Sequence, residues 1–208
     1  MISLFIDTSL NFIRIAIFKD NQILDYINER CEKNMSAIFD QRIKDLFSKN
    51  NLNFRDVNKI LAVVGPGSFT GIRVGLTFAK VLAFSLNKGI IPISELQVLA
   101  STNTNSNLIT PLIDARRGYV YAGFYNSNLD IIKKEEHVLF DNLKVGNSVF
   151  VSYDSFLNID SLIPNIDFLK IFMKNKDNEE VTHEIVTPNY LKLTEAEENL
   201  RKKQEIDS

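Results

Sequence analysis

The sequence predicts an α/β fold in which one supersecondary unit is used twice, the second copy reduced. Three observations carry this. Short apolar runs read as buried strands at 2–6, 61–64 and 112–114. Two stretches, 35–48 and about 70–86, switch to helical period. The string Leu112-Ile113-Asp114 echoes the Leu4-Phe5-Ile6-Asp7 ending of the first strand about 107 residues earlier.

Residues 2–6 are almost wholly apolar and end in the turn Asp7-Thr8-Ser9-Leu10-Asn11. Residues 12–18 alternate, with Phe12, Arg14 and Ala16 on one side and Ile13, Ile15 and Ile17 on the other. With a turn at 19–21 and a third run at 22–29, this predicts an antiparallel meander. In 35–48, Met35, Ile38, Phe39, Ile43, Leu46 and Phe47 recur at helical spacing, and Asn34 or Ser36 can cap the start. The strand 61–64 runs into Gly65-Pro66-Gly67-Ser68-Phe69-Thr70-Gly71, followed by a long apolar helix, a strand at 90–93 and a short helix from Ser94. The second copy supplies strands at 112–114, 119–125, 130–138 and 148–152, with Ala122-x-Phe124 answering Ala16-x-Phe18. A chance likeness of two meanders is the plainer alternative to duplication. Residues 154–187 are Asn-rich and weakly patterned. Thr194 and Glu197 form a capping box for a solvated terminal helix. The expected lobes are 1–105 and 106–208.

The 208-residue chain carries 24 Lys+Arg against 26 Asp+Glu, a net charge of −2, and 45% hydrophobic residues. This is a globular composition, without the basic excess of a protein that grips nucleic acid by itself. One cysteine, Cys31, excludes an internal disulfide and favours a reducing compartment. Two histidines, His137 and His183, and one thiol leave no ligand set for a His/Cys zinc site. No apolar run reaches the ~18 residues of a bilayer span, and the N-terminal run lacks a basic leader.

A strand–glycine loop–helix junction can bind an anion, which makes Asp7, Gly67, Ser68 and Thr70 a weak anion or nucleotide candidate. The loop is neither a Walker A motif nor a dinucleotide fingerprint. The plainer reading is a tight turn with Ser68 or Thr70 as helix cap. Asp7 and Asp114 end equivalent strands, as paired carboxylates do in actin-like ATPases. The turn after Asp7 has no glycine for phosphate approach, which favours turn capping over metal binding. No nucleophile–base pair is legible: Cys31 reads as incidental, His137 as a solvated edge residue, and His183 has no partner in sequence. Arg116, Arg117, Lys133 and Lys134 could form a small basic spot.

Gly71, Gly75, Ala79 and Ala83 recur every four residues, a stripe that permits close backbone approach. Val74, Phe78, Val81, Leu82 and Leu86 flank it, and with Ile72 and Leu76 the apolar arc spans roughly 220°, beyond what one sheet covers. Either the helix is wholly internal or another protein packs on it together with helix 35–48.

Ile6-Asp7-Thr8, the string from Gly65 to Gly75, Ala79 with Leu82-Ala83, Ile113 to Gly118 followed by Val120-Tyr121, and Pro188-x-Tyr190-Leu191-Lys192 together resemble the TsaB (YeaZ) family. The resemblance runs in order over almost the whole chain and is weakest at 140–187. It implies an actin/Hsp70-like (ASKHA) fold of two lobes with mixed sheets and flanking helices. It also implies a cytoplasmic, noncatalytic subunit in making N6-threonylcarbamoyladenosine at position 37 of tRNA. Such a subunit would bind and stabilise a TsaD-like enzyme, work with a TsaE-like ATPase, self-associate through the same helices, and meet tRNA only through the complex. The implied partner interface is Met35, Ile38, Phe39, Arg42, Gly71, Arg73, Val74, Gly75, Phe78, Ala79 and Leu82. No cofactor is expected on this chain alone, with ATP or ADP reserved for the complex interface. Met35-Ser36 stands where the family often has His-Ser/Thr, and Tyr119 where it often has Glu. A stand-alone ATPase of the same fold is the rival reading, and a protease is a distant third.

Overall fold

The structure, a computed structural model, describes residues 1–143, 146–155 and 159–191. The expected meander forms from β1 (Ile2–Asp7), β2 (Phe12–Lys19) and β3 (Gln22–Arg30), and β4 (Val57–Gly65) and β5 (Ile91–Ser94) extend it. The strand order is β3-β2-β1-β4-β5, antiparallel through the meander and parallel between β1, β4 and β5. The second sheet, from β6 (Leu108–Asp114), β7 (Tyr119–Asn126), β8 (Ile131–Leu139), β9 (Val149–Val151) and β10 (Ser161–Leu162), has the order β10-β9-β6-β7-β8. Matching β6–β10 to β1–β5 makes the two orders identical. The echo in the sequence is therefore a duplicated topology, the actin/Hsp70-like arrangement that the resemblance implies.

Alternation along β2 sorts the core. Ile13, Ile15 and Ile17 face outward onto α1 (Met35–Lys49) and α2 (Phe69–Leu86). Ala16 and Phe18 face inward onto α3 (Glu95–Ala100) and α4 (Phe168–Asn175). The inward cluster takes residues from both sheets, Phe5 and Leu61 from the first and Ile109 and Val151 from the second, so the lobes share one core. The described outer face of the second sheet carries a small cluster, Leu112, Val120 and Ala122 with Val138, Phe140, Leu143, Phe150 and Ile159 packed against it, and no α-helix among the described residues answers to α1 and α2 there. This is the expected reduction of the second lobe.

Asn34 occupies the cap position of α1 in a left-handed conformation, φ 54°, and its side chain makes no cap hydrogen bond. The helix is held instead by its buried face, Phe39, Ile43, Leu46 and Phe47. In α2 the Ser68 hydroxyl accepts the Gly71 N–H at 2.9 Å, the plainer of the two readings of the loop. Asn87, left-handed at φ 51°, ends α2 by donating its N–H to the last carbonyls.

Within the weakly patterned stretch 154–187, α4 forms unannounced. Asp167 caps it by accepting the Lys170 N–H at 2.9 Å, and Phe168, Ile171 and Phe172 are buried. Phe168 meets Phe5 edge-on at 5.8 Å and Phe172 stacks on Phe18 at 4.2 Å. The chain then returns along α2. Val181 pairs with Ile90, Lys80 donates to the Val186 carbonyl at 2.9 Å, and Asn189 N–H donates to the Val64 carbonyl at 2.7 Å. Residues 168–191 thus pack on the first sheet. The terminal helix expected from Thr194 lies outside the described residues.

By length and composition alone α2 could cross a bilayer, contrary to the expectation that no run is long enough. Its burial against β1 and β4 is that of a core helix.

Candidate functional site

The small-residue stripe of α2 does not face outward. Gly71, Gly75, Ala79 and Leu82 are buried against the chain's own first sheet, which removes these four from the expected interface. A Cβ on Gly71 would collide with the Thr8 carbonyl. One on Gly75 would stand 2.6 Å from Thr8 Oγ1 and 3.0 Å from Ile6. The small residues let α2 settle on the β1–β2 turn, where Thr8 Oγ1 donates to the Gly71 carbonyl at 2.7 Å and accepts the Gly75 N–H at 2.8 Å.

The surplus apolar arc appears on the opposite side. Phe69, Val81 and Phe84 are 57%, 63% and 70% exposed, and Val74 and Phe78 are half-buried. Between α1 and α2 lies a groove of about 470 Å³, lined by Phe39, Phe69, Thr70, Arg73, Val74 and Phe78 among others. Arg73 lies over the Phe69 ring at 3.8 Å, and Tyr190 stacks on the same ring at 5.6 Å. Of the expected interface residues on α1, Met35, Ile38 and Arg42 are half-buried and Phe39 is buried beneath the groove floor, edge-on to Phe78 at 5.3 Å. Arg42 is engaged by Glu29 of β3 at 2.7 Å.

The four weak anion candidates do not converge. Thr70 faces the α1–α2 groove, while Gly67 and Ser68 line a separate cleft of about 420 Å³ between the lobes. Asp7 is buried and accepts from Ser9 N–H at 2.8 Å, from Ser9 Oγ at 2.6 Å and from Arg14 Nη1. Arg14 Nη1 also donates to Glu95 at 2.9 Å, and Ser9 Oγ lies 2.8 Å from the same carboxyl. Burial, then Asp7, push the Glu95 carboxyl up to about 8 against the pull of Arg14. Burial pulls Arg14 down, but the two carboxylates outweigh it and hold its guanidinium well above the usual range. The sequence reading missed this cluster. Its one local signal is Arg14 on the Ala16 side of β2, paired in register with Asp7.

Asp114 is a turn cap as favoured, its carboxylate accepting the Arg116 N–H at 2.7 Å, and its own N–H donates to Asp154 at 2.9 Å. The basic spot does not form. Arg116 and Arg117 sit at the β6–β7 turn, whereas Lys133 pairs with Phe124, five residues or about 17 Å along β7 from Tyr119. Cys31 is buried in the outer core, its thiol donating to the Lys33 carbonyl at 3.4 Å. His137 is half-buried and stacked on Tyr119 at 4.8 Å, not solvated, and His183 meets Phe84 edge-on at 5.2 Å.

A family model described as TsaD, tRNA N6-adenosine threonylcarbamoyltransferase, matches residues 27–173. The tRNA threonylcarbamoyladenosine biosynthesis protein TsaB of Bacillus subtilis (strain 168) is 30% identical over 95% of this chain and 96% of its own. A Pseudomonas aeruginosa protein with similarity to the peptidase YeaZ superposes with a TM-score of 0.79 at 21% identity, covering 92% of this chain and 99% of that one. YeaZ of Pseudomonas aeruginosa superposes at 0.77 with 20% identity, over 91% and 99%. The two superpositions bear on the fold.

Proposed function

Because the chain belongs to the TsaB (YeaZ) family, we propose that it serves tRNA threonylcarbamoyladenosine biosynthesis as a noncatalytic subunit that binds and stabilises a TsaD-type enzyme. The role in that biosynthesis follows from the family. The noncatalytic, partner-binding part rests on one observation: the exposed Phe69–Arg73–Val81–Phe84 ridge of α2 beside the α1–α2 groove. Aromatic residues and arginine are the types enriched at interface centres, and an open apolar patch on a small domain marks an interaction surface. The interface we propose is Met35, Ile38, Phe39, Arg42, Arg73, Val74 and Phe78, with Phe69, Val81 and Phe84 added and the buried Gly71, Gly75, Ala79 and Leu82 withdrawn. Self-association through the same face competes with the partner. On the same reading a TsaE-type ATPase joins the assembly, tRNA is met only through the complex, and the chain works in the cytoplasm.

The rival ATPase reading loses its phosphate site. Every polar side chain of the Asp7-Thr8-Ser9 turn is spent on α2, Arg14 or Glu95. We therefore propose that the chain alone takes no nucleotide and that any ATP or ADP sits at the partner interface.

The test is co-expression with the TsaD-type protein of the same organism, then size-exclusion chromatography and titration calorimetry. Thr77→Arg adds a bulky charge in the groove at an exposed position. It should leave folding intact and weaken the heterodimer at least about tenfold, close to 1.4 kcal/mol. Unchanged affinity overturns the interface.

A further inference from the structure

We propose that Tyr190, on the stretch that returns along α2, is a positioning residue for partner docking: it fixes the Phe69 ring on the wall of the α1–α2 groove. This role rests on the partner reading of that groove. It gives a task to Pro188-x-Tyr190-Leu191, which the proposed interface leaves unused.

Phe69 is the first residue of α2 and is 57% exposed. A helical side chain leans back over the preceding turn, and the first residue has no such turn to lean on. Its ring is held from elsewhere by two groups. The central carbon of the Arg73 guanidinium lies 3.8 Å from the ring centroid. The Tyr190 ring lies nearly parallel to it, at 19° and 5.6 Å. Arg73 Nε in turn donates to the Tyr190 hydroxyl at 3.3 Å, so each of the three side chains engages the other two.

Tyr190 has firm footing. The Asn189 N–H donates to the Val64 carbonyl at 2.7 Å, and the Asn189 side-chain oxygen accepts the Leu191 N–H at 3.1 Å. Leu191, left-handed at φ 50°, packs on the inner cluster while Tyr190 packs on the outer one. The close pass over the end of β4 requires Gly65. A Cβ there would stand 2.4 Å from the Asn189 carbonyl oxygen, and its φ of +117° suits glycine. The first glycine of the loop therefore serves the stretch that carries Tyr190. Tyr190 is half-buried and does not itself line the groove, whereas Phe69 and Arg73 do. Ordering one mobile side chain on binding costs about two- to tenfold in affinity. A ring already held by Tyr190 escapes that cost.

The test is titration calorimetry of full-length variants against the TsaD-type protein of the same organism. Phe69→Ala should weaken the complex at least about tenfold, as loss of an aromatic anchor does. Tyr190→Ala should weaken it about three- to tenfold, and Tyr190→Phe, which keeps the ring, should stay within about twofold of wild type. In the Phe69→Ala background Tyr190→Ala should add nothing, because its effect runs through the Phe69 ring. A merely structural loss would persist in that background. If Tyr190→Ala does not fold, Tyr190→Leu, which keeps apolar bulk without a ring, takes its place in both backgrounds. Unchanged affinity of the Tyr190 variant beside a weakened Phe69→Ala overturns the positioning role and leaves the docking face standing. A Tyr190 loss undiminished in the Phe69→Ala background overturns it as well. Unchanged affinity in both Phe69→Ala and Thr77→Arg overturns the docking face and the positioning role together.

Discussion

Gly71 and Gly75 show how far single residues were legible. Spacing of four small residues announces a close approach, and the close approach is there. Spacing does not say which neighbour approaches. The sequence leaves the stripe facing either the chain's own interior or a partner, and in the structure it meets Thr8 and Ile6 of the same chain. The carbonyl of Thr8 is backbone and cannot yield, so Gly71→Ala should be the harsher change. The Thr8 hydroxyl can yield only by giving up two hydrogen bonds. Overpacking costs typically about 1–3 kcal/mol and occasionally more. We expect Gly71→Ala to lower the urea midpoint more than Gly75→Ala, and Gly75→Leu to leave no folded protein. Thr77→Ala, exposed on the same helix, should stay within about 0.5 kcal/mol of wild type. If Gly75→Leu melts like wild type, the stripe faces outward after all. Arg14 was legible only as an odd residue in an apolar strand. Its second partner, Glu95, lies 81 positions away and arrives through the β4–β5 crossover, which no local pattern encodes.

Among elements, the strands of the meander and both long helices were read to within a few residues, because each carries a strong period. Helix α4 was not, although its pattern is present: Asp167 caps it, and Phe168, Ile171, Phe172 and Asn175 follow at helical spacing. Two turns of helix between Asn-rich loops give too few repeats of the period to stand out. The helix exists because two sheets enclose it, and that enclosure is tertiary. Its weight can be measured residue by residue. Phe172, 1% exposed and stacked on Phe18, should cost about 3–5 kcal/mol as Phe172→Ala. Met173, 46% exposed on the next position, should cost no more than about 0.5 kcal/mol as Met173→Ala. Urea unfolding of the two variants checks the contrast. Equal losses would mean that α4 does not lie between the lobes.

At the scale of the whole molecule, duplication supplied two sheets and the chain then used them unequally. The first sheet carries α1 and α2 outside, while among the described residues the outer face of the second carries a smaller cluster, Leu112, Val120 and Ala122 with Val138, Phe140, Leu143, Phe150 and Ile159 packed against it. Among the described residues, the basic side chains singled out from the sequence do not gather on one face. The net charge is −2, Arg116 and Arg117 stand apart from Lys133, and Lys133 is paired with Glu136 at 2.5 Å. Affinity for nucleic acid comes chiefly from neutralising phosphates with clustered cations, and nonspecific binding at physiological salt already lies at about 10⁻⁴–10⁻⁶ M for proteins that have such clusters. A chain without them should fall at or beyond the weak end. We expect the isolated protein to bind tRNA with a dissociation constant above about 1 μM at physiological salt, and the little binding there is to vanish as salt rises. Filter binding across a salt series measures both. A submicromolar constant would require a cationic surface that the described residues do not assemble, and would place tRNA recognition on this chain rather than on its partner.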